Sequence, residues 1–568
     1  MFAPNPIFER KDFKYFNDGW LFSIDGITYQ NINVPFCPQS ELSGIKHKGF
    51  IRRCFYKKEF DFSSFTKENR RTVINFGAID YKCDVFVNGS FVGSHTGGYT
   101  PFSFDISQYL VLGKNEILLL VFDDVLSSYP TGKQSRKEES YGCFYTRTTG
   151  IWQSVWIEYV PENYIEKVYF YPDVDRGAVS ADLYVCGKGD YSIEVFYDNR
   201  LVGSACGETD FHVKTNISLS EKVLWEIGKG NLYSVKLTFC DDTVYSYFGL
   251  RKVEYKGTDF MLNGKPVYQK LILDQGYNPK GIYTSPSPEF MQRDINLSLD
   301  LGFNGARLHQ KVFEPYFLYL CDKSGYMVWG EFASWGIDYS DFGNTGEFIR
   351  QWAEVLNRDF NHPSIITWCP LNEVWYDIYA PQKEPDMRII ESIFDFTKRF
   401  DTTRPCVDVS GGFHGENTDL YDFHSYRSVE EIDKTLSKLQ NDNELYEPLL
   451  YNERNNTELR YKAGLPVNLS ECGGIMLGDK INTITVNEGA VQNTDNWGYG
   501  KGETDGESFV IRYKALMETI MKYPILSGFC YTQLYDVEQE QNGFYTYDRK
   551  DKLTVKQKNT IKRINTRK

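Results

Sequence analysis

Paired cysteines, long apolar runs and surplus positive charge are all missing from this 568-residue chain, and each absence removes a class of function. Its twelve cysteines are scattered singly, with no C-x-x-C or other metal-ligand spacing. Neither a zinc module nor a disulfide framework is written in them, and reduced, buried thiols are the expectation. No stretch of 18 apolar residues is present that could span a bilayer. The opening MFAPNPIFERKDFKYF carries charges where a secretory signal needs an unbroken apolar stretch, so a soluble, cytoplasmic protein with no membrane partner is expected. Lys and Arg number 63 against 77 Asp and Glu, a net charge of −14, so the concentrated positive field that binds nucleic acid is not available. A small substrate recognised locally fits better.

Aromatic residues, by contrast, are abundant: they make up 16% of the chain and include 41 tyrosines. Most must fill cores, but aromatic faces also serve as stacking platforms for sugars. The length is too great for one hydrophobic core. From about residue 50 to 160 the pattern is short alternating strands, clearest in TVINFGAID, CDVFVNGSFVGSH and NEILLLVFDD, and Asn88-Gly89 between two such runs signals a type I′ hairpin. This reads as an all-β sandwich. A second β segment, about 162 to 252, contains IEKVYFYP, AVSADLYVC, YSIEVFYD and LYSVKLTFC at spacings that suit a small seven-stranded sandwich.

After about residue 256 strand and helix alternate. Strands are predicted at 271–274, 305–309, 326–331, 364–373, 406–410, 421–426, 467–471 and 526–532. Helices fill the gaps. One starts with Ser287 as N-cap and Pro288 in its first turn and stops at Gly302; another carries Met387, Ile390 and Phe394 on one face. Eight such repeats predict a (β/α)8 barrel, with its site at the C-terminal ends of the strands.

Two acidic residues stand there. Glu373 closes ITWCPLNE on the fourth predicted strand and Glu471 closes VNLSE on the seventh. A strand-end carboxylate after an apolar run is solvated, ion-paired or catalytic; two on opposite sides of one mouth point to catalysis. Glycoside hydrolysis uses such a pair, one carboxyl to protonate the leaving oxygen and one carboxylate to meet the positive charge at the anomeric carbon.

The motifs Asn372-Glu373 and Ser470-Glu471, with VPFCPQSELSGI, NFGAIDYKCDVFVNGSFVGSHTGGYTPFSFDI, GIWQSVWIE, FGLRKVEYKGTDFMLNGKPV, DQGYNP, GFNGARLHQK and HPSIITWCPLNE, resemble glycoside hydrolase family 2, the β-galactosidase and β-glucuronidase relatives. The resemblance implies a jelly-roll sugar-binding domain (1–161), an immunoglobulin-like β-sandwich (162–254) and a catalytic (β/α)8 barrel (255–568), without the further C-terminal domains of larger relatives. It implies that Glu373 is acid/base and Glu471 nucleophile, that Asn372 binds the 2-hydroxyl of the sugar, and that Tyr426 orients the nucleophile. Asp274, Arg307 and His309 are implied around the sugar, with Trp335 and Tyr531 as stacking faces. A homo-oligomer is compatible with it.

Departures from the family pattern narrow the expectation. Glucuronidase relatives read the substrate carboxylate with an Asn-x-Lys element, whereas the corresponding run here is Glu540-Gln541-Asn542, which favours a neutral sugar. Metal-assisted relatives carry a His two residues after a third-strand carboxylate; Ala333 follows Glu331 here, so no cofactor and no obligatory divalent cation are expected. The segment 473–507 reads as a functional loop. The expected activity is an exo-acting, retaining β-glycosidase acting on a small glycoside or oligosaccharide, β-galactosidase first, with β-glucuronidase, mannosidase, arabinosidase or fucosidase as alternatives. A non-catalytic carbohydrate-binding protein is the rival of another class.

Overall fold

A computed structural model describes residues 3–62, 70–374, 383–443, 461, 464–478, 483–484 and 496–567. Strict alternation builds the first sandwich. In Lys114–Phe122 every second side chain (Asn115, Ile117, Leu119, Val121) is buried. This strand lies inside a six-stranded sheet that faces a four-stranded one, and Ile117, Leu119 and Val121 share a core with Ile74, Phe76, Val155 and Ile157. Asn88 and Gly89 have φ of +49° and +77°, the left-handed pair that a type I′ hairpin requires between Lys82–Val87 and Ser90–Thr96.

The second sandwich is built from five strands among the described residues rather than seven. The predicted runs AVSADLYVC and YSIEVFYD are one strand, Ala178–Tyr197, paired along its length with Arg200–Ser218. The ladder is carried across the Cys186-Gly187 interruption by a register shift between Tyr184 and Lys188, so a turn expected from sequence is a bend instead. One core draws on both halves of that strand, Val179 and Leu183 from one and Ile193 and Val195 from the other.

The barrel follows. Seven parallel strands run in the order Ile365–Cys369, Met327–Glu331, Gly305–Leu308, Gln269–Asp274, Leu526–Thr532, Val467–Gly473 and Tyr421–Ser425. The predicted strand at 406–410 is present only as isolated bridges, Trp368 to Cys406 and Asn372 to Ser410. Pro370 lies between them on the neighbouring strand and has no N–H to continue the ladder. Side chains close that seam: Ser410 Oγ donates to Asp422 Oδ2 (2.7 Å) and Gly411 N–H to Asp422 Oδ1 (2.8 Å). Outside the strands, helix Pro288–Asp300 is capped by Ser287, whose hydroxyl accepts from Phe290 N–H, and Met387–Phe400 is capped by Asp386. Among the described residues no helix is long and apolar enough to cross a membrane.

The three bodies are keyed together by buried polar side chains. Trp225, between the second sandwich and the barrel, donates its indole N–H to Asp322 O (2.7 Å). Arg10 bonds Glu158 of the first sandwich (3.0 Å) and Asp242 of the second (3.0 Å) while 8% exposed. Removing one partner of such a buried ion pair leaves uncompensated charge, which costs about 3–5 kcal/mol. Arg10→Met is therefore expected to lower the urea midpoint of unfolding clearly, whereas an unchanged midpoint would show that the Arg10 bridge carries no stability.

Candidate active site

The side chains at the C-terminal ends of the barrel strands converge on Arg307. It ends the second strand with no exposed surface, and its guanidinium is fully committed. Nε donates to Glu331 Oε2 (2.6 Å), Nη1 to Glu471 Oε1 (2.9 Å) and Nη2 to Asn372 Oδ1. A planar fork of donors suits three acceptors in fixed directions; an ammonium would not.

Glu471 reaches this fork through a local irregularity. Phe423 pairs with Leu469, but His424 pairs with Glu471, so the register slips by one residue at Ser470. Val467, Leu469 and Cys472 pack outward against the helix layer. The slip turns both Ser470 and Glu471 inward, where strict alternation would allow only one. Glu471 Oε2 accepts from Tyr426 Oη (2.5 Å), which lies 2.9 Å from Thr532 Oγ1. The Tyr426 ring stacks on Tyr499 with centroids 3.6 Å apart.

Glu373 lies just past the end of the fourth strand with φ +45°, a strained conformation for a residue with a Cβ. Its N–H donates to Ser410 O (2.8 Å), fixing the turn that presents the carboxyl to the mouth. Asn372 is held from both ends: its side-chain oxygen accepts from Arg307, and its backbone oxygen accepts from Trp335 Nε1 (3.1 Å). Since Arg307 only donates, the amide orientation is set, and Nδ2 is left without a partner among the described residues.

His424 bridges the two carboxylates. Its Nδ1 is 2.8 Å from Glu373 Oε1 and 3.5 Å from Glu471 Oε2, and its Nε2 is 3.1 Å from Ser410 Oγ. Burial alone would lower the imidazole pKa, but the Glu471 and Glu373 carboxylates outweigh it and the net shift is upward. Burial likewise works to raise the Glu471 pKa, yet His424, Arg307, His309 and Lys133 bring it down to about 2. His309 goes the other way: burial, with Lys133 beside it, holds its pKa well below the usual imidazole value. Its Nδ1 is 3.0 Å from Glu331 Oε1, out of line for a hydrogen bond, and 4.0 Å from Glu471 Oε1. One atom each from Glu373, His424 and Glu471 lie within 4.8 Å of one another, a set that could hold a cation. The same three groups are close enough to exchange protons, with the Glu373 side chain partly exposed and Glu471 held anionic by the charges around it.

Thus Glu373, Glu471, Asn372, Arg307, His309, Tyr426 and Trp335 gather at one mouth, while two predicted residues do not join them. Asp274 is buried, its Oδ1 accepts from both Tyr535 Oη (2.5 Å) and Gly276 N–H (2.9 Å), and burial raises its pKa to about 6. Tyr531 points outward with Phe529 and packs on Tyr513 and Phe544, with no exposed surface, so it is a packing residue rather than a sugar platform. Of the predicted loop 473–507, residues 479–482 and 485–495 lie outside the described residues; Trp497 and Tyr499 are described, and Tyr499 reaches the site. His424, Ser410, Tyr499 and Lys133 were not anticipated. His424 stood in the strand YDFHSY next to Tyr426, where a polar residue near a barrel strand end was a usable signal.

The comparisons agree with this architecture. The model of the glycosyl hydrolases family 2 sugar binding domain matches residues 23–161, and that of the family 2 TIM barrel domain matches residues 253–459. The chain is 27% identical over 386 residues to a β-galactosidase of Thermoanaerobacter pseudethanolicus, covering 62% of this chain and 49% of that protein. To a β-glucuronidase of Rattus norvegicus it is 26% identical over 456 residues, covering 72% and 68%. The chain spans 43%, 47% and 49% of three of the curated relatives it matches, about half their length. A solved β-D-glucuronidase structure from Dictyoglomus thermophilum has the same fold, with a TM-score of 0.77, 18% identity, and 99% and 98% of the two chains covered. Similar to relatives named for two different sugars and matched by both family domain models, this protein belongs to glycoside hydrolase family 2.

Proposed function

We propose that this protein is a retaining, exo-acting β-glycosidase working by double displacement, with Glu373 as acid/base and Glu471 as nucleophile. The observation that carries the reading is the spacing of the pair. One oxygen of each carboxylate lies within 4.8 Å of the other, the close approach that a retaining mechanism uses. Glu373 protonates the glycosidic oxygen as Glu471 attacks the anomeric carbon, and the leaving alcohol departs. Glu373, now a carboxylate, takes a proton from water, which attacks the same carbon and releases Glu471.

The surrounding groups suit those steps. The cations around Glu471 keep it ionised and ready to attack. Tyr426 and Arg307 hold its two oxygens apart in a fixed orientation. Asn372 Nδ2 has no protein acceptor and is assigned to the 2-hydroxyl of the sugar, a contact that strengthens as charge develops. Trp335, anchored through Asn372 O, offers a ring face beside them. Exo action is supported by closure of one side of the mouth, where Trp497 Nε1 (2.9 Å) and Gln539 Nε2 (2.6 Å) both donate to Gly142 O.

A β-galactoside is the leading substrate. Glu540 is buried and already accepts from Tyr145 Oη (2.5 Å) and Asn542 Nδ2 (3.1 Å), so a uronate at that point would face a carboxylate of its own sign. The β-glucuronidase reading is kept by the relatives of that name.

Hydrolysis of a panel of 4-nitrophenyl α- and β-glycosides, including galactoside and glucuronide, tests the proposal. One β-glycoside should be preferred, and Glu471→Ala should lower its turnover by about 10⁴-fold or more. A variant as active as wild type would remove Glu471 from the chemistry, and no turnover by wild type would favour the non-catalytic, carbohydrate-binding reading. The depressed Glu471 pKa also predicts a stability effect with a definite sign. The folded value of about 2 lies below the unfolded value of about 4.3, so its contribution is full above that unfolded value and is lost as pH falls towards about 2. In urea unfolding at stepped pH, wild type should lose more stability across this window than Glu471→Gln; parallel profiles would contradict the shift.

A further inference from the structure

The N-terminal sandwich sends a lysine into the barrel mouth. Its segment from Thr131 lies against the loop after the third barrel strand, where Thr131 N–H donates to Trp335 O (2.8 Å) and Gly132 N–H to both Ala333 O and Trp335 O (3.2 Å each). Gly132 has φ +58°, and a Cβ there would stand 2.3 Å from Gln310 O, so only glycine permits this approach. The next residue is Lys133. Its carbonyl accepts from Tyr145 N–H (2.8 Å), and Ser135 N–H donates to Tyr145 O (2.8 Å), which pins the backbone on both sides.

Its side chain is 5% exposed, with Nζ 5.5 Å from the Trp335 ring centroid and 5.8 Å from that of Tyr145. Burying an ammonium is costly unless it is paired or hydrogen-bonded. Among the described residues Lys133 Nζ has neither a hydrogen-bond acceptor nor a carboxylate within 4.0 Å, whereas the buried Lys311 has both: the Gly276 and Tyr283 carbonyls and Glu314. The Lys133 charge is nevertheless close enough to act on Glu471 and His309. A cation held this firmly, against the ring beside Asn372 and without an acceptor of its own, is placed to receive one from a ligand.

We propose that Lys133 is a substrate-binding residue whose ammonium donates to a hydroxyl oxygen of the terminal sugar, so that the N-terminal sandwich completes the sugar pocket of the barrel. The proposal rests on the glycosidase reading. An acceptor oxygen has two chemical sources, the hydroxyl of a neutral sugar and the carboxylate of a uronide. Glu540, bonded to the same Tyr145, favours the hydroxyl, because a hydroxyl can donate to a neighbouring carboxylate as well as accept from an ammonium.

The test compares wild type, Lys133→Met and Lys133→Arg in kcat, KM and thermal midpoint on 4-nitrophenyl β-galactoside and β-glucuronide. Lys133→Met should raise KM for the galactoside by about tenfold or more, with kcat changed less, the thermal midpoint near that of wild type and part of the loss recovered by Arg. A KM within about twofold of wild type would overturn the proposal. A loss confined to the glucuronide would overturn the hydroxyl assignment in favour of a carboxylate. Should the Met variant not fold, Lys133→Gln takes its place, since its amide stays polar and loses the charge. Glu471→Ala tests the glycosidase reading separately. If wild type cleaves neither glycoside, tryptophan-fluorescence titration with D-galactose decides: weaker binding by Lys133→Met upholds the contact, and equal or absent binding overturns it.

Discussion

Arg307 sits in a closed ring of five hydrogen bonds that ties three barrel strands and their loops together. It donates to Glu331; Glu331 accepts from Gln310 N–H (3.0 Å); Gln310 Oε1 accepts from Trp335 N–H (3.0 Å); Trp335 donates to Asn372 O; and Asn372 Oδ1 accepts from Arg307. Glu471 hangs from the ring by the remaining guanidinium nitrogen. With no solvent at hand, every member needs the others: a buried guanidinium without carboxylates, or carboxylates without it, would carry a large desolvation cost. The ring also sets distances. The close approach of the Glu373 and Glu471 carboxylates follows from Asn372 and Glu471 sharing one rigid cation, with His424 bridging the two.

Two glutamates in one mouth are made unequal by what surrounds them. Glu471 is 5% exposed and ringed by His424, Arg307, His309 and Lys133, so its negative charge is stabilised despite burial. The Glu373 side chain is 24% exposed and, of these four groups, touches only the bridging imidazole of His424. A nucleophile held anionic beside a more exposed partner is the arrangement the proposed assignment uses. It also explains why the N-terminal sandwich matters to a barrel site. Its Gly132 allows the close approach that brings Lys133 in, and its Gly142 carbonyl anchors Trp497 and Gln539 beside the aromatic cluster that includes Trp335.

Much of this was legible in the sequence for definite reasons. A glutamate closing an apolar strand is conspicuous because burial disfavours it, and both Glu373 and Glu471 stood out in that way. Asn88-Gly89 announced its hairpin through backbone sterics alone. Features that depend on register were hidden. The slip at Ser470 that turns Glu471 inward has no composition of its own, and Tyr531 was misplaced because one residue decides between facing the helices and facing the mouth, where its neighbour Thr532 meets Tyr426. At Asp274 the sequence did not show that Tyr535 and Gly276 N–H would both bond Oδ1. The strand expected at 406–410 broke at Pro370 of its partner, and two expected strands of the second sandwich fused through a bulge. Lys133 was invisible because the Trp335 ring it lies against comes from a distant part of the chain.

The central claim is that Glu471 forms a covalent bond to the sugar. Incubating the protein with a 2-deoxy-2-fluoro β-glycoside bearing a good leaving group, followed by intact-mass and peptide mass spectrometry, tests it most directly. A single added fluorosugar on the peptide containing Glu471, absent from Glu471→Ala, is the predicted result. Steady turnover of ordinary β-glycosides with no adduct, or an adduct on a different carboxylate, would contradict the account.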